Sequence, residues 1–402
     1  MSNLLTTADA ILKEDYQPLV RDQLNNANAY SAQLKRTNKG VAGREALLAL
    51  HTAYNEGVGA RRESDVLPTA GSTGWVNSKV PLYKNTGRLQ ISIELIKATV
   101  ADPTSFVRGL QASTQDLKNS AARDYNRQLF GTSNGVIAQC GTTTTANLIV
   151  LTGATEVQMR QLRVGMVVDI GTVAAPHTIA QAVTITAVDA ATPTITVDGS
   201  TISTTSSHFV FRTVAGGAIG GVGQAEVTGL QSIVDSTGAL HNVDPATTPL
   251  WSSYEVAVGG SFTEAAVEKA VDAVDIASGE FPSLGVTSHG VRRAAAAVLQ
   301  SNKRIVNTTD LKGGYSAIAI DTPQGTFKLT ADRDCPNGTL FGLNMDHFNE
   351  YYSADWEFMD MDGAVLSRVP NYTMYEATLI KISEQATDQR NANFKLRTIT
   401  EA

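Results

Sequence analysis

Ala331-Asp332-Arg333-Asp334-Cys335-Pro336-Asn337-Gly338-Thr339 lies in a C-terminal third that reads as mixed helix and strand. Short β-branched runs predict strands around it at Ala317 to Ile320, Thr326 to Leu329, Gly338 to Leu343 and Tyr375 to Ile382. Upstream, His289 to Gln300 predicts a helix whose apolar stripe is Val291, Ala294, Ala295, Val298 and Leu299, with Arg292 and Arg293 pointing elsewhere. Ser261 and Glu264 have capping-box spacing ahead of a helix carrying Ala265, Val267, Ala270, Val271 and Val274.

Moving outward, Gly216 to Gly223 reads as a flexible joint. Residues 141–215 hold 17 threonines and only seven Asp, Glu, Lys or Arg, which suits a small all-β unit inserted into the chain. Its predicted strands are Asn147 to Thr152, Met166 to Gly171, Val183 to Val188, Thr194 to Val197 and His208 to Thr213, with a helical turn near Glu156 to Leu162. Asp102-Pro103 is a helix start, and Phe106, Leu110, Leu117, Ala121, Tyr125 and Leu129 follow at helical spacing until Gly131. Glycines and prolines punctuate 57–97, where Gly74 to Tyr83 and Arg88 to Ile96 predict two antiparallel strands on a long loop. Helices over Leu4 to Leu24 and Arg44 to Asn55 complete the reading, as an arm that docks elsewhere.

The chain has 402 residues, 32 basic and 39 acidic, for a net charge of −7. That balance does not suit a protein whose main task is neutralising phosphate. A low charged fraction of 18% leaves surface for burial against other subunits. Two distant cysteines, Cys140 and Cys335, are either free thiols or one long-range pair, and such sparse usage argues against a disulfide scaffold or a Cys-rich metal module and suits synthesis in a reducing compartment. With no basic-then-apolar start and no 18-residue apolar run, neither a secretory signal nor a membrane span is expected.

Catalytic constellations are not found. The six histidines never pair at metal-ligand spacing, and HExxH, CxxC and Gly-x-Ser-x-Gly do not occur. Gly216 to Gly223 lacks the Lys-Ser/Thr of a phosphate loop, and Glu226 stands where a dinucleotide fingerprint needs glycine. Asp355, Glu357, Asp360 and Asp362 form the densest acidic cluster, without the spacing of a calcium loop, and read as solvated. Phe348, Tyr351, Tyr352, Trp356 and Phe358 alternate partly like a strand and suit an interface. The pairs Arg61-Arg62 and Arg292-Arg293 read as solvated or intersubunit ion pairs. The expectation is therefore no catalytic, cofactor-binding or metal-ligating residue, and no cofactor.

Thr287-Ser288-His289-Gly290-Val291-Arg292-Arg293, Asn307-Thr308-Thr309-Asp310-Leu311-Lys312-Gly313-Gly314-Tyr315, the stretch quoted first, and Asp362-Gly363-Ala364-Val365-Leu366-Ser367-Arg368 occur in that order. The series resembles the major capsid proteins of tailed bacteriophages with the HK97-type fold. The resemblance implies an α+β chain divided into an N-terminal arm (1–56), an extended loop (57–97), a peripheral domain with a long spine helix (98–140 and 331–402), an inserted β domain (141–215) and an axial domain (216–330). It implies pentamers and hexamers closing as an icosahedral shell around double-stranded DNA, in the virion head, after assembly in the bacterial cytoplasm. Implied partners are other copies, a separately encoded scaffolding protein, a portal protein, a decoration protein, and packaged DNA through weak non-specific contacts; no membrane is implied. Some members crosslink Lys to Asn, for which Lys79 or Lys84 offers an amine, but noncovalent locking is the expectation here. The alternatives are an encapsulin-like cellular compartment, which shares the fold, and an α/β enzyme.

Overall fold

The computed structural model describes residues 28–63, 65–94, 103–199, 201–212, 226–301, 308–310, 316–360 and 367–402. The helix predicted over Leu4 to Leu24 and the joint at Gly216 to Gly223 lie outside them. From residue 28 the chain is not a loose arm: Tyr30 and Leu34 are buried in the main core. Strand β1 (Lys35–Thr37) then joins the parallel edge of the strand Phe348–Phe358.

The helix expected over Arg44 to Asn55 is a strand. β2 (Val41–Ala42), β3 (Glu45–Ala53) and β4 (Gly74–Pro81) form an antiparallel three-stranded sheet. Leu47-Leu48-Ala49 favours helix locally, but pairing from Glu45↔Pro81 to Ala53↔Gly74 overrides that preference. Ala46 and Leu50 then face inward while Leu47 is half exposed. The two strands expected to pair on one loop also part company. β4 stays with β3, whereas β5 (Tyr83–Ser92) runs antiparallel along Met374–Thr387, from Tyr83↔Ser383 to Ser92↔Met374. Leu82 is thus a joint between two sheets.

Helix α1 (Pro103–Phe130) has the expected bounds; at about 1.5 Å per residue it spans about 42 Å. It lies along β5, where Gln128 Nε2 donates to Asn85 Oδ1 at 2.9 Å.

The threonine-rich stretch forms β6 (Val136–Gln139), β7 (Thr143–Ala146), β8 (Leu148–Val150), α2 (Glu156–Gln161), β9 (Val167–Thr172), β10 (Ala175–Asp189), β11 (Thr194–Val197), β12 (Ile202–Thr204) and β13 (Phe209–Arg212). Six of its strands lie in the order β6-β13-β9-β10-β11-β8, and β12 pairs with β7. Ile137, Ile149, Val168, Ile170, Ile185, Ile195 and Val210 give the unit its own core. It begins with β6, ahead of residue 141, because Ala138 is needed opposite Val210. Thr155 caps α2 in a full capping box with Gln158.

The remainder comprises β14 (Tyr254–Ser261), α3 (Glu264–Ser278), β15 (Leu284–Thr287), α4 (His289–Ser301), β16 (Thr308–Asp310), β17 (Ser316–Thr322), β18 (Gly325–Ala331), β19 (Leu340–Leu343), β20 (Phe348–Phe358), β21 (Ser367–Arg368), β22 (Met374–Thr387) and β23 (Phe394–Thr400). One seven-stranded sheet runs β14-β23-β19-β15-β18-β17-β16, and α3 and α4 pack their apolar stripes on it. Ser261 ends β14, so the cap of α3 is Thr263 instead, whose hydroxyl accepts from Ala266 N–H at 3.2 Å. Gly279 closes the helix in the left-handed region, φ 72°. A second sheet, β1-β20-β22-β21 with β5 also on β22, receives the N-terminal strand and α1. Among the described residues no helix is long and apolar enough to cross a membrane.

Candidate assembly surfaces

Between β3 and β4 the chain makes an excursion from Tyr54 to Thr73 with no helix or strand among its described residues. Its hydrogen bonds among the described residues are local: Gly57 N–H to Asn55 Oδ1 at 2.8 Å and Arg62 N–H to Asp65 Oδ2 at 3.0 Å. Tyr54, Val58, Val66 and Leu67 are 75–87% exposed, and Trp75 at its foot is 64% exposed. So many large apolar side chains left exposed on one excursion are more than the singly scattered ones of an ordinary surface. Arg61 and Arg62 lie on it, exposed.

The sheet carrying the excursion is seated firmly. Ala46 and Val80 are buried against Tyr351 and Ala386, while Lys79 N–H donates to the carbonyl of His241 at 3.1 Å and the Ser78 hydroxyl to the same oxygen at 3.3 Å. His241 adopts φ 48°. Both its ring nitrogens are buried without partners among the described residues. Burial, helped by the nearby Arg390 cation, pushes its imidazole down to about 3. Arg390 itself spans four carbonyls, those of Ile233, Gly238, Trp251 and Ser232, at 2.7–3.3 Å. It thereby closes the segment from Leu230 to Trp251 over the end of β22.

Beneath that surface a buried ionic group joins β1, α1, β20 and β22. Lys381, 1% exposed, reaches Glu350 at 2.7 Å and Asp355 at 2.9 Å and lies over the Tyr125 ring, 4.7 Å from its centroid. Arg36 contacts the same two carboxylates at 3.0 and 2.7 Å, and the Tyr125 hydroxyl donates to Glu350 at 2.6 Å. Asp355 is thus an ion-pair partner as well as a half-exposed carboxylate; Glu357 and Asp360 are exposed, and Asp362 lies outside the described residues. Deeper still, Glu384 accepts from Thr228 N–H at 2.8 Å and from Gln385 N–H at 2.9 Å, and burial raises its carboxyl well above the usual range. Composition did not single out Glu350, Lys381, Glu384 or Arg390. A signal was present in phase: Lys381 falls on the same face as the inward-facing Ala377, Leu379 and Ser383, alternating with Thr378, Ile380 and Ile382.

Two of the ordered motifs, 287–293 and 331–339, meet in space. Glu401 accepts from the Gly338 N–H at 2.7 Å and the Asn337 amide at 2.9 Å, and the Ser288 hydroxyl donates to it at 2.5 Å. Ser288 in turn accepts from Val291 N–H and so caps α4. Gly290 leaves room for this: a Cβ there would lie 2.4 Å from Glu401. Asp332 takes the Tyr30 N–H and the Asn126 amide, both at 3.0 Å. These residues lock chain segments together; they do not surround a substrate space. Arg293 donates to the Ala402 carbonyl at 2.8 Å. Among the described residues no group of three or more His, Cys, Asp and Glu is placed to hold a metal ion. Cys140 and Cys335 are buried and unpaired with each other, the former's thiol pushed up to about 12 by burial. Lys79 and Lys84 are exposed on β4 and β5.

A family profile for the SU10 major capsid protein matches residues 117–365, more than half of the chain. The chain belongs to that family. This capsid protein is similar in fold to a chain of the Cyanophage A-1(L) capsid asymmetric unit, with 13% identity, full coverage of both chains and a TM-score of 0.58. Looser likenesses include a chain of Mycobacterium phage Bobi (11% identity, 99% of each chain, TM-score 0.45) and of the holo-SrpI encapsulin complex from Synechococcus elongatus PCC 7942 (9%, 99% and 96%, 0.46). No relative is found among curated protein sequences. The α+β architecture is the HK97-type capsid fold, and the protein is a shell-forming major capsid protein of a tailed-phage head. As such it associates with its own copies.

Proposed function

We propose that the capsid protein closes as pentamers and hexamers around double-stranded DNA, that the β2-β3-β4 sheet with its excursion is the extended loop, and that this loop covers a neighbouring subunit. The observation that carries the reading is the exposed apolar excursion. Burying Val58, Val66 and Leu67 is worth roughly 5–9 kcal/mol gross per subunit, before the cost of ordering the loop. Many such contacts, each modest, sum over a closed shell. In this reading α1, β20 and β22 form the peripheral domain, the α3 and α4 sheet the axial domain, and residues 136–212 the insertion. Assembly on a separate scaffold in the bacterial cytoplasm, a portal vertex, a decoration protein and weak non-specific contact with packaged DNA complete it, with noncovalent locking and no catalytic step.

The test is a replacement of Asn55 to Ser72 by a short Gly/Ser linker, leaving β3 and β4 intact because Ala46 and Val80 belong to the core. Co-expressed with scaffold, the variant should fold with unchanged subunit stability yet give no closed particles by electron microscopy. Normal, equally robust shells would overturn the loop's role.

A further inference from the structure

Strand β3 is paired along one side only. β4 runs beside it from Glu45↔Pro81 to Ala53↔Gly74, but β2 covers the other side at Glu45 and Ala46 alone. Leu47 N–H still reaches back to the carbonyl of Gly40 at 3.2 Å, away from β4, so by alternation the N–H and C=O of Ala49 and His51 face that same uncovered side. Among the described residues nothing pairs with them. Natural edges are blunted by lysine, by proline or by shortness, whereas the nine residues of β3 include neither Lys nor Pro. A groove of about 400 Å³ follows this edge, lined by consecutive residues from Ala49 to Tyr54 and by none of β4. Across it lie Asp388 to Asn391 and the last turn of α3. Trp251, which also lines it, is buried with its Nε1 lacking an acceptor among the described residues.

A bare strand edge beside a groove is a template for an added strand, whose backbone pairs with the edge while its side chains fill the groove. The excursion carries a segment of matching kind. Val58 to Arg62 contains no proline, is small at Gly59 and Ala60, and exposes Val58 at 85%. Among the described residues Val58 to Arg61 make no hydrogen bond, and Arg61 and Arg62 form no ion pair. At about 3.3 Å per residue the segment matches Ala49 to Ala53 in length, about 16 Å each. The groove offers carboxylates to the two arginines: Asp388 and, across His347, Glu280, each 44% exposed. Arg390, the one Lys or Arg lining the groove among the described residues, is fully buried on its four carbonyls. The occupant is not the same chain's own tip. Gly57 and Gly71 hold the two limbs of the excursion together, since a Cβ on either would lie 2.7 Å from the backbone nitrogen of the other, so Val58 to Arg62 sits past the end of its own β3. We propose, on the reading that the excursion covers a neighbour, that Val58 to Arg62 of one copy joins β3 of a second copy as an added strand, with the Arg61-Arg62 pair beside Asp388 and Glu280. Each β3 then leads into a tip and receives one, a head-to-tail contact of the kind that closes into rings.

The test uses full-length chains co-expressed with scaffold, beside the linker replacement described above. Ala49→Pro removes an N–H from the free side of β3 and none from its ladder with β4, so the subunit should melt at the wild-type temperature while closed particles fall by about tenfold or more. A lowered melting temperature passes the decision to cysteine pairs. Ala60→Cys is combined in turn with Ala49→Cys, His51→Cys and Ala53→Cys, because facing Cα atoms of an added strand lie about 5.5 Å apart, within disulfide reach. Under mild oxidation at least one pair should link chains into covalent ladders as long as a capsomer on a non-reducing gel, whereas each single cysteine leaves monomers. Normal particle yield from a stably folded Ala49→Pro chain, monomers from every pair, or a disulfide closed within one chain would each overturn the inference. Shells lost on linker replacement but kept by Ala49→Pro, with no pair crosslinking, would refute strand addition and leave the loop's role standing; shells kept on linker replacement would refute both.

Discussion

Lowering the pH from 7 to 5 should loosen the seat of the β2-β3-β4 sheet through His241. In the unfolded chain an imidazole takes its proton near pH 6.5, whereas in the fold burial and Arg390 hold the His241 pKa at about 3. The folded-state value is depressed, so the unfolded state binds the extra proton. Stability is unaffected above about pH 6.5 and falls as the pH drops from there towards 3. At pH 5 the gap is about 1.5 units, or about 2 kcal/mol at about 1.36 kcal/mol per unit. Glu384 acts in the opposite sense, because its raised carboxyl pKa favours the fold as the pH falls. The wild-type slope is therefore a sum, and only a difference isolates His241. His241→Asn suits the positive φ of 48° and keeps the carbonyl that accepts from Lys79 and Ser78. Urea unfolding of both proteins at pH 7 and pH 5 gives the difference, and hydrogen exchange at the Lys79 amide localises it. Equal pH slopes in the two proteins would refute the reasoning.

Two further substitutions probe the interior. Lys381→Met leaves Glu350 buried beside Tyr125 with Arg36 as its remaining cation; a loss of about 3 kcal/mol is expected by urea unfolding, and adding Glu350→Gln should restore part of it. Gly290→Ala drives a methyl group into Glu401 and should cost about 1–3 kcal/mol in the same assay, with Glu401→Gly, which removes the Cβ as well as the carboxylate, relieving the clash in the same chain.

The helices and much of the inserted unit were legible because their signals are local. Asp102-Pro103 and Gly131 bracket α1, and β-branched alternation sets β11 at its expected residues. The strand β3 was not legible, because its partner begins 21 residues after it ends and the intervening excursion carries no turn signature of a hairpin. Nor were β14 and β23, whose parallel pairing, Tyr254↔Phe394 onward, depends on residues 140 positions apart. The motif series pointed to the family but not to its physical purpose. Ser288, Gly290, Asn337 and Gly338 make sense only once Glu401 is seen among them. An arginine-lined cavity was equally hidden, since its six cations, Arg123, Arg127, Arg160, Arg163, Arg212 and Arg333, come from four separated stretches and no two of them are adjacent in sequence.

β6 and β13 are neighbours in their sheet, Ala138 opposite Val210, and Arg212 N–H donates to the carbonyl of Gly135 at 3.4 Å. The chain therefore leaves for the inserted unit and comes back at one spot, two strands about 5 Å apart. A graft needs only two closely spaced termini to plug into that socket. Residues 136–212 are thus a natural position for displaying a foreign β-rich module or an epitope, with α1 and both large sheets untouched. The exchange would carry away Arg160, Arg163 and Arg212, so a display scaffold built this way would also lose half of its arginine cavity.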